Sequence, residues 1–456
     1  MKKFLLIPLA IFSIIVGFAF VSKAQNKSSR VATTSAATLY ADKCASCHGT
    51  TPAGGSAKSL SSATYEFAKT DAEIIDIVKN GDESIGMPAF AATLDDDQLL
   101  DIVKYAKTAK TMNKVTPATD APKVDQDSIN VEKWVDNLDA PWSLTFLIPE
   151  GALVTEVKGD LYQIVNGEKL SDPVAGTPEV WSGGQGGLLD VAIDPDYAEN
   201  GWVYLAFSDP IKSGSDKATT KIIRGNIVNN EWRNEQVLFA AKPEDYVKGR
   251  VHFGSRITFD DQGHLFFSIG DRGKKDKAQD LSVPHWKIHR IMRDGSIPAD
   301  NPFVDTPDAY PSVYSYGNRN PQGLVWADGR LWETEHGPKG GDELNLIESG
   351  VNYGWPVISY GRNYNGTELT PFTHKDGMAQ PVSQWNPSIA ACGLDVYKGD
   401  LFAEWNGYLL AGALRYEEVR LIKQKDGVYD GELILIKDRG RVRDVEVGPD
   451  LSLIHI

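Results

Sequence analysis

The sequence predicts a multidomain chain, a small all-α domain followed by an all-β propeller. Three observations carry that reading. Apolar residues at helical spacing occur only before residue 113. A polar stretch with two prolines, residues 113–128 (N-K-V-T-P-A-T-D-A-P-K-V-D-Q-D-S), then interrupts all periodicity. From residue 129 onward, short β-branched and aromatic runs alternate with Gly, Asp and Pro turns.

The chain opens Met1-Lys2-Lys3, runs apolar over residues 4–21 and reaches the small-residue site Ser22-Lys23-Ala24. That pattern predicts a signal peptide over residues 1–24, with Gln25 as the mature start and a periplasmic or otherwise exported protein. The apolar run is long for this purpose, so an uncleaved membrane anchor is the alternative. Residues 25–35 are polar and Ser/Thr-rich, a tether. Acidic residues outnumber basic ones 62 to 47, a formal charge of -15, which argues against nucleic acid and anionic membrane surfaces as partners.

Residues 44–48 read C-A-S-C-H. Two cysteines at this spacing with histidine next are a c-type haem attachment site. Cys44 and Cys47 each add to a vinyl group, and His48 offers its imidazole to the iron. Met87, in G-M-P-A-F, is placed to supply the opposite axial ligand. A zinc or redox pair is the bland alternative, but no second pair completes a zinc site. Residues 72–79 (A-E-I-I-D-I-V-K) have helical spacing with Asp71 as the expected N-cap. Residues 95–107 repeat the pattern, with Leu99, Leu100, Ile102, Val103 and Ala106 on one side. The order helix, haem motif, helix, methionine, helix resembles a class I cytochrome c over residues 36–112. The third cysteine, Cys392, reads as a buried small hydrophobe.

Beyond the linker a strand–turn–strand unit recurs. It appears as F-L-I-P-E-G-A-L-V-T-E at 146–156, I-T-F-D-D-Q-G-H-L-F-F-S-I-G-D at 257–271, and V-W-A-D-G-R-L-W-E-T-E at 325–335. Irregular recurrence of such units over residues 129–456 predicts propeller blades with unequal insertions. A β-sandwich would be too small for this tract. Several turns carry more Gly and polar residues than a turn requires: G-Q-G-G-L-L-D-V-A at 184–192, H-F-G-S-R at 252–256, G-N-R-N-P-Q-G-L at 317–324, E-H-G-P-K-G-G-D-E-L-N at 335–345, N-Y-G-W-P at 352–356 and G-R-V-R-D-V at 440–445.

In their order and spacing these motifs resemble the soluble aldose sugar dehydrogenases, the glucose/sorbosone dehydrogenase family. The resemblance implies a six-bladed propeller that uses pyrroloquinoline quinone (PQQ) and calcium to oxidise an aldose to its lactone. It implies that His252 is the general base, a role an imidazole suits at neutral pH. It places Gln185, Arg319, Asn320, Tyr364, Leu414 and Arg415 along the cofactor and substrate. It makes Arg441 and Arg443 the pair facing the quinone, and guanidinium forks suit a tricarboxylate. Glu343 and Tyr353 match calcium-binding positions, with Gly337 and Pro338 as further carbonyl donors. Electrons would pass to the fused haem c and on to a downstream cytochrome or terminal oxidase. The expected departures from the family are Arg415 where many relatives have Lys, the unusual H-W-K-I-H-R at 285–290, and an end at L-S-L-I-H-I that stops short of the family's closing strand. A carbohydrate-binding propeller or a calcium-dependent lactonase on a similar scaffold are the competing readings, because a fold alone licenses no chemistry.

Overall fold

The structure, a computed structural model, describes residues 39–40, 43–44, 70–81, 89–112, 129–147, 151–450 and 452–456. Cys47, His48 and Met87 lie outside the described residues, as do the expected leader, tether and linker. No helix among the described residues is long and apolar enough to cross a membrane.

Among the described residues the N-terminal unit shows two complete helices, α1 (Asp71–Asn80) and α2 (Asp96–Met112). The N-cap of α1 is Thr70 rather than the expected Asp71. Thr70 Oγ1 accepts from the Glu73 N–H while the Glu73 carboxylate accepts from the Thr70 N–H at 2.7 Å, a reciprocal box that an aspartate one residue later cannot make. Asp95 and Gln98 exchange the same kind of bonds ahead of α2. Leu99 and Ile102 of α2 bury against Leu39, Tyr40, Cys44 and Leu94, with Ile75 and Val78 of α1 packed alongside. The first haem-motif cysteine therefore sits in the helical core, against Leu99 and Ile102 of the expected apolar side.

The rest is a β-propeller built from consecutive antiparallel sheets. The first contains Pro141–Phe146, Ala152–Glu156, Leu161–Val165 and Glu168–Lys169. The second contains Leu188–Ile193, Val203–Pro210, Lys217–Val228 and Glu231–Phe239, with a short extra strand Val247–Lys248. The third contains Ile257–Phe259, His264–Ile269, Lys287–Met292 and Val313–Tyr316. The fourth contains Pro321–Ala327, Arg330–Glu335, Asp342–Ile347 and Ser383–Trp385. The fifth contains Ala391–Val396, Leu409–Ala413, Glu418–Lys425 and Val428–Lys437. Val445–Val447 and Leu453–His455 form a two-stranded sheet in contact with the inner strands of the fifth and first sheets. Of the six blades expected, five full sheets and one strand pair are present among the described residues. The end at Leu453–His455 is paired rather than loose, and the Ile456 carbonyl accepts from the Arg443 N–H at 2.6 Å.

Inner strands carry a recurring acid that the sequence analysis passed over: L-D-V at 189–191 and 394–396, and R-D-V at 443–445. Each aspartate accepts a backbone N–H from the inner strand of the following sheet. Asp190 takes Ile257 at 2.6 Å, Asp395 takes Val447 at 2.9 Å, and Asp444 takes Leu144 at 3.1 Å. Asp444 therefore ties the last strand pair to the first sheet. Arg256 sits between two of these acids, 2.9 Å from Asp190 and 2.8 Å from Asp444, fully enclosed. Replacing Arg256 by methionine strands two buried carboxylates, and the propeller is expected to lose about 3–5 kcal/mol of stability, measured by denaturant melts. A loss below ~1 kcal/mol would show that the acids are not held charged by this arginine.

The unusual 285–290 segment is core rather than site. His289 stacks on Phe267 with ring centroids 4.8 Å apart and binds Ser312 Oγ and the Pro284 carbonyl. His285 Nε2 lies 3.1 Å from Thr219 Oγ1. Lys287 donates to the His285 carbonyl at 2.7 Å, and burial pushes its amine down to about 7.

Candidate active site

Around the inner ends of the second, third and fourth sheets, the Gly-rich turns converge. Gln185 follows a turn whose Gly184 has φ +61° and lies so close to the Arg250 carbonyl that a Cβ there would approach it to 2.2 Å. The Gln185 side chain accepts the His252 N–H at 2.7 Å. His252 itself adopts φ 56°, a conformation a non-glycine residue holds only when its surroundings fix it. Arg272 supplies part of that restraint. Its guanidinium lies over the Phe253 ring and donates to the carbonyls of Gly249 and Val251, just ahead of His252. Burial pushes this guanidinium down to about 9.

The His252 ring is nearly buried, and its Nδ1 lies 2.5 Å from Asp271 Oδ1. A carboxylate accepts only, so Nδ1 carries the hydrogen and Nε2 presents a lone pair. Burial is the main influence on the imidazole and lowers its pKa below the usual value; Asp271 opposes this, and Arg319 adds to it. The ring is therefore neutral at pH 7 and available as a base. Asp271 was missed in the sequence, where it merely ends an apolar strand run (F-F-S-I-G-D).

Arg319 and Asn320 flank the pair. The Arg319 carbonyl accepts from the Asp271 N–H at 2.8 Å, and Asn320 Oδ1 accepts from the Gly254 N–H at 3.2 Å. Arg319 Nη1 donates to the carbonyls of His336 and Gly337, each at 2.8 Å, and Nη2 to the Tyr364 hydroxyl at 3.4 Å. Tyr364 is 72% exposed and marks the solvent rim. Thus Gln185, His252, Arg319, Asn320 and Tyr364 form one bonded group. His336, unassigned by the sequence, joins it: burial, with the neighbouring Arg319 and Arg443 charges, pushes its imidazole down to about 3. Arg443 therefore lies beside the group, whereas Arg415 and Arg441 are exposed. Arg415 reaches the Ser388 carbonyl at 3.3 Å, and Leu414 is buried beneath it.

The expected calcium residues divide. The Gly337 carbonyl is engaged by Arg319, and Pro338 packs under Gly361. Glu343 instead joins an oxygen-rich face of the fourth sheet. Cross-strand register sets Glu333 opposite Asn345, and Glu335 opposite Glu343, which in turn faces Gln384. Asn345 Nδ2 donates to Glu333 at 2.9 Å and to Glu343 at 3.4 Å. Burial pushes Glu343 up to about 7, and burial with neighbouring carboxylates raises Glu333 and Glu335 well above the usual range. Glu333 Oε1, Asn345 Oδ1 and Gln384 Oε1 are buried without a hydrogen-bond partner. Leu331 and Ile347 of this face pack with Phe266, Ile288 and Tyr353. No three His, Cys, Asp or Glu side chains converge as an ion-binding group among the described residues. Amide and carbonyl oxygens would have to complete a shell, a donor set that fits calcium rather than a softer metal.

Residues 138–456 match the sequence profile of the glucose/sorbosone dehydrogenases. The chain belongs to that family. Residues 31–105 match the profile of cytochrome c oxidase, cbb3-type, subunit III, so this family member carries an N-terminal cytochrome c domain. It is 38% identical over 332 residues to the aldose sugar dehydrogenase YliI of Escherichia coli K12, spanning 71% of this chain and 88% of the relative. Among solved structures it resembles the apo-form soluble aldose sugar dehydrogenase of Escherichia coli, at 37% identity and a TM-score of 0.68 over 72% of this chain and 95% of that one. It also resembles the PQQ-bound aldose sugar dehydrogenase of Streptomyces coelicolor, at 29% identity and a TM-score of 0.57 over 69% and 87%. In this dehydrogenase the cytochrome match, residues 31–105, lies outside the dehydrogenase match, residues 138–456.

Proposed function

We propose that the propeller oxidises an aldose at C1 to its lactone with PQQ, and that the electrons leave singly through the N-terminal haem c. The observation that carries the proposal is the His252–Asp271 pair beside Arg319, assembled from motifs in the order the family uses them. Bound PQQ would supply the two-electron acceptor for the hydride. His252 Nε2 takes the proton of the C1 hydroxyl, while Asp271 fixes the tautomer and stabilises the imidazolium that results. Arg319, next to the base and bonded to the Tyr364 hydroxyl, would hold an anionic or carbonyl oxygen of the bound molecules. Gln185, Asn320, Leu414, Arg415, Arg441 and Arg443 would hold the tricarboxylate cofactor, for which guanidinium groups are suited partners. Cys44 and Cys47 would hold the haem covalently, and His48 and Met87 would offer ligands to its iron. The signal peptide (1–24), tether (25–35), cytochrome domain (36–112), linker (113–128) and propeller (129–456) define an exported protein, whose acceptor is a downstream cytochrome or terminal oxidase.

Calcium is assigned to the oxygen-rich face, with Glu343 and the Tyr353 carbonyl as ligands; the Gly337 carbonyl could serve an ion only by releasing Arg319, and Pro338 remains a further carbonyl donor. Glu343→Gln is expected to raise the calcium concentration needed for half-maximal thermal stabilisation by about tenfold, since ligand charge count tunes such affinities. An unchanged midpoint places the ion elsewhere.

The deciding experiment adds PQQ and calcium to purified protein with an aldose and a dye acceptor, and identifies the product. Dye reduction with lactone formation is expected. Sugar binding without turnover would support a binding module, and lactone hydrolysis without dye reduction a lactonase.

A further inference from the structure

We infer that Glu335 is a positioning residue that sets the geometry of the His252–Asp271 pair from behind, through the Arg319–Asn320 loop. The inference rests on the reading of His252 as the base. Glu335 ends the second strand of the fourth sheet and is 4% exposed. One of its oxygens, Oε2, accepts two consecutive backbone N–H groups, those of Arg319 and of Asn320, the latter at 3.1 Å. Two routes run from that oxygen to the base. In one, the Arg319 carbonyl receives the Asp271 N–H, and Asp271 holds His252 Nδ1. In the other, the Asn320 side chain receives the N–H of Gly254, two residues after His252.

Packing makes the routes stiff. A Cβ on Gly270, the residue before Asp271, would meet the His252 carbonyl at 2.5 Å and Asn320 Oδ1 at 2.6 Å. The three segments therefore have no slack, and a shift of residues 319–320 displaces the base directly. Arg319 is moved by the same shift, so proton acceptor and guanidinium stay in register only while Glu335 holds both amides. Its sheet neighbour Glu343 belongs to the oxygen-rich face, so Glu335 links that face to the loop.

The test compares Glu335→Gln, which keeps an acceptor oxygen, with Glu335→Ala, which removes it. Amide hydrogen exchange of the protein without added cofactor is followed by mass spectrometry. In the alanine variant, peptides spanning residues 251–255 and 316–322 are expected to exchange at least about tenfold faster, while the first sheet is unchanged. The glutamine variant is expected to stay within about threefold of wild type in the same peptides. In the reconstituted enzyme the alanine variant should lose about tenfold or more in kcat, with glutamine restoring most of it. Unchanged exchange in the alanine variant, or equal losses in both variants, overturns the inference. Failure of the wild-type protein to oxidise any aldose overturns the proposed function instead, and the exchange result stands apart from it.

Discussion

Replacing His252 by glutamine is expected to cut aldose turnover by about a hundredfold or more while PQQ binding stays nearly intact. The side chain supplies the lone pair, at Nε2, that can take the hydroxyl proton; an amide has no comparable basicity. The cofactor's carboxylates are assigned to guanidinium groups, which the substitution leaves in place. The acid limb of the kcat/KM profile provides an independent check. Burial lowers the imidazole pKa below 6.5, so the basic form persists into more acidic solution than for a free histidine. Activity should therefore be retained as pH falls through 6.5 and be lost only below it. Asp271→Asn removes an influence that raises the pKa, so the limb should move lower still while the maximal rate falls. A limb at or above 6.5, or near-normal turnover in the fully loaded glutamine variant, would remove His252 from the role of base.

The second large effect lies in the cytochrome unit. Substituting Cys44 and Cys47 by serine is expected to abolish covalent haem and with it sugar-driven haem reduction, while dye-linked sugar oxidation by the propeller persists. A flexible tether of the length proposed for the linker would reach roughly 20–25 Å. Tethering at that length corresponds to a millimolar effective concentration, so in the unsubstituted protein the rate of haem reduction should not change on dilution. A rate proportional to protein concentration would show that the two units meet only between molecules. Met87→Ala should remove the spectral band of methionine-to-iron ligation; persistence of the band would assign the axial ligand to another residue.

Arg256 and Glu335 show why local reading found motifs but not their purpose. In H-F-G-S-R, the arginine reads as part of a functional turn; in the fold it pairs with Asp190 and Asp444, which come from other parts of the propeller. In E-H-G-P, the glutamate reads as a strand end; in the fold it binds two amides that are 15 and 16 residues away in sequence. The odd H-W-K-I-H-R follows the same logic in reverse: residues that look catalytic by type are core, satisfied by Ser312, Thr219 and main-chain carbonyls.

The sequence by itself determined the division into a helical haem-bearing unit and a β-rich tract, because periodicity, turn residues and the C-x-x-C-H spacing are local properties of the chain. It also determined the order of motifs that marks the family, and hence His252 and Arg319 as candidates. Only the tertiary structure decided that Asp271 stands behind His252, that Glu343 faces Glu335 and Gln384 rather than joining Gly337, and that the last strand pair is tied to the first sheet through Asp444. Those relations depend on register between strands and on contact between sheets, where partners lie from 8 to 300 residues apart. No local spacing rule encodes such distances, because the loops between blades differ in length without changing which inner strands meet.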